Sequence, residues 1–392
     1  MENLKQALAS VGLHIPKILL PNKNVDLHKF SVIACDQFSA KPEYWQSVEN
    51  VVGDAPSALR ITLPEVFLND NAAARTVEIN RTMSQYLSEK VLTSVGECFI
   101  YLRRRTTSGI RRGLIAALDL EQYDYSKESK TLIRATEATV VDRLPPRIAI
   151  RRDAPIELPH IMVLINDKQN LLMDYFDSRI SELDCLYDFT LMCSGGHSTG
   201  YCVDSYPDLK KTADILAQLK EQSGDNFLFA MGDGNHSLAA AKACWEETKA
   251  SLTAEQAENH PARYALVEIV SLHDPALLFE PIHRLLYNVD PEQVTRELEL
   301  DSDEVIDAQM LQPKLDKWLQ SHPEAELEYI HGEQECLDLA AQSPDRLAII
   351  FPPFDRDSLF DVVRKNGAFV RKSFSMGEAV DKRYYLECRV IK

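Results

Sequence analysis

The sequence predicts a mixed α/β fold with a separate α/β lobe at its C-terminal end. Short apolar runs with the length of buried strands alternate with longer segments of helical spacing, as in a sheet covered by helices. Of the 392 residues, 45% are apolar and 26% are charged, which is typical of globular proteins. The segments after Asp290 are more charged, and this change predicts a first domain over residues 1–288 and a lobe over residues 289–392.

The first third of the chain is predicted to combine short strands with two helices. Strands are expected at Phe30–Cys35 and Ala58–Leu63, with a short helix at Pro42–Val52 between them. Asp70 is expected to cap a helix that runs to about Leu92, because apolar residues recur there at roughly helical spacing.

Two hairpins are predicted further along the chain. Glu97–Arg105 and Arg112–Leu120 flank a turn with basic ends, which fits a solvated edge that discourages strand pairing. Phe189–Cys193 and Tyr201–Asp204 flank a glycine-rich turn. The other predicted elements are strands at Ile161–Ile165 and Ala262–Leu272, helices at Leu171–Leu183 and Pro207–Gln222, and, in the lobe, helices at Glu292–Leu300, Ala308–Ser321 and Asp357–Lys365 with strands at Glu326–Ile330 and Arg346–Phe351.

The segment Phe227–Trp245 carries the clearest functional pattern. Its apolar start, Phe227–Met231, predicts a buried strand, which ends at a Gly-Asp-Gly-Asn turn (residues 232–235) and leads directly into a strong helix former. A strand, a glycine turn and a helix start together present backbone N–H groups to an anion. Helix capping and ordinary turn chemistry would explain the same residues without any function, so both interpretations stay open.

A cluster of arginines points to an anion site as well. Five of them lie within residues 134–152 of an acidic chain, and such local positive charge attracts anions. We expect at least two of these arginines, or one of them and Arg284, to converge on the turn at residues 232–237. The five are Arg134, Arg143, Arg147, Arg151 and Arg152.

Charge and composition argue against several classes of partner and location. The net charge of −17 disfavours nucleic acid and anionic lipid, whose binding depends on Lys and Arg neutralising phosphates. No apolar run is long enough to span a membrane, and the first residues lack the features of a signal peptide. The eight cysteines show no disulfide framework, so we expect a cytoplasmic protein with reduced thiols.

Several well-known catalytic motifs are missing from the sequence. It contains neither a Walker A loop nor a Gly-x-Ser-x-Gly elbow. Cys193, His197 and Cys202 have a spacing that suits a hairpin turn better than a zinc site. We therefore expect neither zinc nor haem, and any bound phosphate must be held by the turn around Asp233 and by arginines from elsewhere.

Four segments together resemble a known family. The Gly-Asp-Gly-Asn-His-Ser turn before an Ala-rich helix resembles the Asp-Gly-His-His-Arg turn of the ParB/sulfiredoxin-like superfamily, and more closely the bacterial and archaeal family called domain of unknown function 1015. The resemblance implies a ParB/sulfiredoxin-like core within residues 1–288, and kinases of free serine as the better understood relatives. The other matching segments are Ile133–Thr139 with Asp142 and Arg143, Ala154–His160, and Arg371–Ala379 with Lys382–Tyr385.

The turn departs from the superfamily pattern at two positions. Asn235 occupies the place of the first His and Ser237 the place of the Arg, so a bidentate phosphate donor is missing. Arg143 and Arg284 are candidates to replace its charge. The C-terminal segment from Arg371 to Tyr385 mixes polar groups with aromatic residues, and it could line the site as packed loops often do.

The leading hypothesis is a nucleotide-dependent phosphotransferase that acts on a small polar metabolite, similar to a free serine kinase, with an adenine nucleotide and Mg²⁺ as cofactors. Asp233 would hold Mg²⁺ or orient the acceptor hydroxyl, and Gly232 and Gly234 would let backbone amides face the phosphates. His236 would act as a donor or as a general acid or base, and Glu137 is a candidate base, although a surface salt bridge explains it equally well.

Two other functions remain open. The first is a non-catalytic nucleotide or metabolite sensor with a ParB-like fold, which the two substituted turn residues favour. The second is a DNA-binding or scaffold protein, which the net charge disfavours.

Overall fold

The computed structural model describes residues 2–68, 71–137, 144–300 and 307–392. They divide by internal contacts into a first unit, Met1–Leu277 with Glu378–Lys392, and a second unit, Leu278–Gly377. The sequence predicted a single boundary between residues 288 and 289. The final segment instead returns to the first unit, because its backbone bonds there: the Tyr385 N–H donates to the Val32 carbonyl.

The fold is mixed α/β, as predicted. The main sheet of the first unit has the strand order β10-β11-β4-β5-β13-β9-β12-β7-β6, and β1 pairs with β5. The strands of this unit are β1 (Leu13–His14), β2 (Lys17–Pro21), β3 (Leu92–Glu97), β4 (Phe99–Thr106), β5 (Gly109–Asp119), β6 (Tyr123–Asp124), β7 (Ile133–Arg134), β8 (Ile156–Glu157), β9 (Met162–Ile165), β10 (Cys185–Thr190), β11 (His197–Val203), β12 (Phe229–Asp233), β13 (Tyr264–Ser271) and β18 (Arg389–Val390).

Both parallel and antiparallel pairs occur in the main sheet. Strand β12 runs antiparallel to β9 and parallel to β7, while β13 runs parallel to β9 and antiparallel to β5. The helices of the first unit are α1 (Glu2–Ser10), α2 (Leu27–Phe30), α3 (Pro42–Val52), α4 (Ala72–Ser88), α5 (Leu144–Asp153), α6 (Leu171–Arg179), α7 (Tyr206–Gln222), α8 (Asn235–Lys249) and α9 (Ala254–Asn259).

The main sheet is buried on both faces. Successive side chains of a strand point to opposite faces, and in β4 Tyr101 belongs to one apolar cluster while Ile100 belongs to another. Residues from α1, α6, α7 and α8 contribute to the first cluster, and residues from α3 and α4 to the second. This double coverage explains why the central strands β9 and β13 read as nearly continuous apolar runs.

The second unit is a smaller antiparallel sheet with helices. Strand β14 (Phe279–Tyr287) pairs with β15 (Glu326–His331), β16 (Arg346–Ile349) and β17 (Phe374–Met376). Its apolar core includes Leu286, Leu311 and Leu315. The helices of this unit are α10 (Pro291–Glu297), α11 (Ala308–Ser321), α12 (Glu333–Ala340) and α13 (Leu359–Asn366).

Two predicted strands are wrong. The segment Phe30–Cys35 begins with the last residue of the short helix α2, whose first turn is capped by the Asp26 side chain. Ala58–Arg60 forms a 3₁₀ helix capped by Ser57. Side chains of Asp and Ser that bond nearby backbone amides favour such turns over strands. Asp70, the predicted cap of α4, lies outside the described residues.

A buried network of ion pairs connects the C-terminal segment to the main sheet. Glu268 in β13 is fully buried and lies 3.2 Å from the Arg111 guanidinium and 3.1 Å from that of Arg383. Arg383 also pairs with Glu387, 2.5 Å away. Because the charges compensate one another, this polar cluster can lie inside the first unit.

Candidate functional site

The predicted strand–turn–helix is present around Asp233. Strand β12 ends at Asp233, and Gly234 then adopts a left-handed conformation with φ of +78° before α8 begins at Asn235. A Cβ atom at residue 234 would lie only 3.0 Å from the Cα of Ile161. Glycine therefore allows both the left-handed turn and the close approach of β12's end to the start of β9.

The N-terminus of α8 carries backbone donors that an anion can use. Within the described residues no side-chain hydrogen bond caps this end of the helix, and the first backbone N–H groups of any helix lack partners within it. The helix dipole adds a partial positive charge at the same place. The Asn235 side-chain oxygen is buried and accepts no hydrogen bond within the described chain, and rotation of the amide would offer its N–H donors to a ligand instead.

A lysine from the C-terminal segment lies at this turn. The Lys382 ammonium is 3.3 Å from the Asp233 carboxylate, and both side chains are mostly buried. The other oxygen of Asp233 accepts a 2.9 Å hydrogen bond from the Gly234 N–H. The turn thus combines one carboxylate, one ammonium and the positive end of a helix.

Next to the turn lies a second cluster of polar side chains around His160. The imidazole Nε2 is 3.5 Å from the Asp36 carboxylate and 3.5 Å from the Ser237 hydroxyl, and Nδ1 is 2.7 Å from the Tyr385 hydroxyl. The Cys35 N–H donates to the Tyr385 oxygen over 3.1 Å. Residues distant in the sequence therefore meet at the first turn of α8.

Asp36 and His160 form a charged pair. Burial alone would lower the pKa of His160, but the Asp36 carboxylate outweighs it and holds that pKa well above its ordinary value. Burial alone would raise the pKa of Asp36, but the His160 charge and its hydrogen bond lower it, and Lys382 adds to that effect. Asp36 and Asp233 compensate the charges of the imidazolium and Lys382, so the α8 dipole is the contribution that still favours an anion at this corner.

The pair predicts a pH-dependent stability. His160, whose pKa is raised, contributes fully below its unfolded value near 6.5 and loses that contribution as the pH rises toward the folded value. Asp36, whose pKa is lowered, contributes above its unfolded value of 3.8. Urea unfolding of His160→Gln should show a larger loss of free energy at pH 5.5 than at pH 9.

Removing the other partner serves as the matched test of this pH dependence. Asp36→Asn should show the same sign, because each variant deletes the same pair. Equal losses at both pH values in both variants would mean that His160 is not charged in the folded protein.

A cavity of about 140 Å³ opens beside the cluster. His160, Tyr385, Ser237 and Cys35 line one part of it, and most of its remaining wall is apolar. Its position next to the first turn of α8 gives the anion site a neighbouring space for a small molecule.

The family of this chain is identified from its sequence. The sequence profile of a protein family of unknown function matches residues 19–356. The chain belongs to DUF1015. The match includes the turn at residues 232–237 and His160, whereas Lys382 and Tyr385 lie beyond it. Membership of the ParB/sulfiredoxin-like superfamily stays a prediction.

Comparisons with other proteins give only distant similarities for this DUF1015 chain. No curated protein matches its sequence. A free serine kinase variant in complex with AMP is 10% identical, with a TM-score of 0.38, over 71% of this chain and 91% of the kinase. A variant of that kinase with ADP has the same identity and TM-score, over 71% and 92%. A conserved hypothetical protein from Pyrococcus furiosus is 10% identical, with a TM-score of 0.34, over 69% and 94%.

Most of the arginine cluster of the DUF1015 chain is engaged in ion pairs. Arg134 pairs with Asp225 and Arg152 with Glu247. Arg147 pairs with Glu65 and Arg151 with Glu157, and these two arginines line the same cavity as Ser237. Arg143 lies outside the described residues.

Arg284 is fully buried in the second unit. Its guanidinium donates to the Gln312 side chain over 2.7 Å and to the Ile282 and Arg371 carbonyls. It also stacks over the ring of Tyr329. These contacts give Arg284 a structural role within its own unit, and its predicted role in phosphate binding stays a prediction.

The other predicted residues occupy the turn or its neighbourhood. Gly232 is part of β12, and His236 is half-buried in the first turn of α8. Glu137 follows Thr136, whose hydroxyl donates to the Met231 carbonyl over 2.7 Å. The chain at Glu137 therefore continues beside the end of β12, although the catalytic role of Glu137 stays a prediction.

The binding of Mg²⁺ by Asp233 stays a prediction. In the described part of the chain, no group of three or more His, Cys, Asp and Glu side chains is arranged to hold a metal. Asp233 already accepts from the Gly234 N–H and faces the Lys382 ammonium. A cation of the protein's own would compete with Lys382 for the same oxygen.

Sequence reasoning missed Asp36 and the role of His160. Asp36 lies directly after the predicted strand Phe30–Cys35, and no motif distinguishes it. His160 and Lys382 each lie at an end of a segment that resembles the family, namely Ala154–His160 and Lys382–Tyr385. That shared property was the available signal that these segments meet at one site.

None of the described helices is both long and apolar enough to cross a membrane.

Proposed function

We propose that this protein is a nucleotide-dependent phosphotransferase that binds phosphate at the N-terminus of α8. The observation that carries the proposal is an uncapped helix start, preceded by a left-handed glycine, with Lys382 3.3 Å from Asp233. Helix N-termini with a glycine turn bind phosphate through backbone N–H groups. The ammonium supplies the charge that the Ser237 substitution removes from the superfamily pattern.

The acceptor in this proposal is a small metabolite that carries a hydroxyl or another polar acceptor group. Phosphoryl transfer requires an oriented nucleophile and charge compensation at the transferred oxygens. Lys382 and the α8 amides would stabilise those oxygens. The Asp233 carboxylate would orient the acceptor hydroxyl and take its proton as the new P–O bond forms, and the bond to the nucleotide breaks.

The second candidate function is a non-catalytic sensor of nucleotide or metabolite. One observation favours it: Asp233 accepts a hydrogen bond from the Gly234 N–H and forms an ion pair with Lys382. These contacts stabilise the turn whether or not a reaction takes place there. In this case a phosphate group would displace Asp233 from Lys382, and the change in contacts would be the signal.

A thermal-shift titration tests whether the site binds phosphate groups at all. A ligand bound only by the folded protein raises its melting temperature by mass action. ATP, ADP, AMP and inorganic phosphate should be titrated with and without Mg²⁺, and adenosine serves as the control without phosphate. Stabilisation by the nucleotides but not by adenosine supports the phosphate site, and no stabilisation by any of them removes the phosphotransferase and the nucleotide sensor.

A further inference from the structure

The cavity beside α8 has mostly apolar walls. Aliphatic side chains from α4, α5 and the loops around them surround a space of about 140 Å³. A free polar amino acid such as serine has almost no apolar surface to bury there, so these walls would add little to its binding. The aliphatic lining residues include Ile61, Leu63, Leu68, Met83, Ile150 and Leu158.

Each charged side chain at the wall lies in an ion pair. Arg147 pairs with Glu65, and Arg151 pairs with Glu157, which also accepts from Arg389 over 2.9 Å. A ligand with a net charge in the apolar part of the cavity would need a partner charge of its own. The aliphatic part of the wall therefore favours a neutral apolar body.

Polar groups converge at one end of the cavity. His160, Ser237 and Tyr385 all line it, and Ser237 belongs to the first turn of α8, where phosphate would bind. A hydroxyl group held at this end could donate to or accept from these side chains. It would lie next to the anion site, while the rest of the molecule extends along the aliphatic wall.

We propose that the cavity binds a small amphipathic compound, with a neutral aliphatic or aromatic body against the aliphatic wall and a hydroxyl group at His160 and Ser237. The identification of this compound as the phosphoryl acceptor rests on the proposed function, whereas its binding does not. The space suits a body of about six carbon atoms, because an engineered apolar cavity of about 150 Å³ holds benzene.

A series of simple alcohols tests the proposal on the full-length protein without nucleotide. Saturation-transfer NMR should measure the affinities of ethanol, propan-1-ol, butan-1-ol, pentan-1-ol, hexan-1-ol, octan-1-ol and benzyl alcohol, with glycerol and serine as polar controls. Each added methylene should strengthen binding about fourfold until the cavity is filled. Benzyl alcohol and hexan-1-ol should bind best, octan-1-ol no better, and glycerol and serine at least tenfold more weakly.

Variants of the wall locate the binding. Ile150→Ala enlarges the cavity, so the size limit should move from hexan-1-ol to octan-1-ol. Ile180→Ala is the matched control, because Ile180 is a partly buried isoleucine of the other apolar cluster, and it should leave the limit unchanged. A limit that does not move in Ile150→Ala, or moves equally in both variants, would overturn the proposal.

The outcome separates this inference from the proposed function. If Ile150 sets the size limit but the protein never consumes nucleotide, the proposal of an amphipathic ligand stands and the phosphotransferase proposal is rejected. Serine binding as tightly as benzyl alcohol, or no binding by any alcohol, would overturn the inference and leave the phosphate site to be judged by nucleotide binding.

Discussion

Replacing Lys382 by Met is expected to weaken nucleotide binding about tenfold or more. The substitution removes the ammonium and leaves the Asp233 carboxylate uncompensated, so a phosphate loses an attraction and meets a repulsion. Two unit charges 4 Å apart near a protein surface interact by about 4 kcal/mol, so a tenfold change, about 1.4 kcal/mol, is a modest fraction of this effect. Isothermal titration with ATP and ADP measures it directly.

Asp233→Asn is expected to have the opposite effect on binding. It removes the negative charge and frees the Lys382 ammonium, so affinity for nucleotide should rise. Turnover should be abolished, because the acceptor hydroxyl loses its carboxylate.

Lys249→Met is the matched control for Lys382→Met, since Lys249 lies at the other end of α8 and pairs with Glu121. Equal losses of affinity in Lys382→Met and Lys249→Met would mean that the phosphate binds elsewhere.

The largest effect on stability is expected from Glu268. Its side chain is fully buried and accepts from both Arg111 and Arg383, and burial would raise its pKa, but the two guanidinium groups lower it. Glu268→Gln keeps the shape and leaves the two buried arginines undercompensated. Breaking a buried ion pair in this way costs about 3–5 kcal/mol, which urea unfolding should show as a lower midpoint.

The control for this variant is an ion pair on α8 whose carboxylate is about half exposed. Lys242 and Glu246 form an i,i+4 contact of 2.6 Å with Glu246 about half exposed, and Glu246→Gln should change the free energy of unfolding by about 0.5 kcal/mol or less. A Glu268→Gln protein that is as stable as Glu246→Gln would show that the buried network is not needed for folding.

The sequence alone predicts the part of the site that lies within one continuous segment. Strand β12, the glycine turn and α8 follow one another, and the glycine before a helix start has a direct conformational reason at Gly234. Asp36, His160 and Lys382 come together only through tertiary packing, since they belong to three distant segments and none has a distinctive neighbour pattern. Family resemblance marked two of these segments, but not their contact.

The errors in the fold prediction also have local physical causes. Asp26 and Ser57 cap short turns where apolar content suggested strands. The return of residues 378–392 to the first unit depends on backbone pairing with the N-terminal segment, as in the antiparallel bridge between Leu19 and Cys388. Such long-range pairing leaves no periodic signal in a single sequence.

Arg147 and Arg151 of the arginine cluster line the same cavity as Ser237, and the role of the cluster as an anion site stays a prediction. In a chain with 60 acidic residues, carboxylates are available as partners, and Arg134 and Arg152 pair with Asp225 and Glu247. The charge found next to Asp233 comes from Lys382 instead, in a segment whose predicted role was to line the site.

The central claim, transfer of a phosphoryl group at the N-terminus of α8, is tested most directly by nucleotide consumption in the unmodified protein. Phosphorus NMR should follow ATP and ADP with Mg²⁺ and a panel of hydroxyl-bearing acceptors that includes serine and benzyl alcohol. We predict acceptor-dependent consumption with a new phosphate ester signal, absent in Asp233→Asn. Tight nucleotide binding with no consumption for any acceptor would contradict the phosphotransferase and favour the sensor, and the absence of nucleotide binding would contradict both.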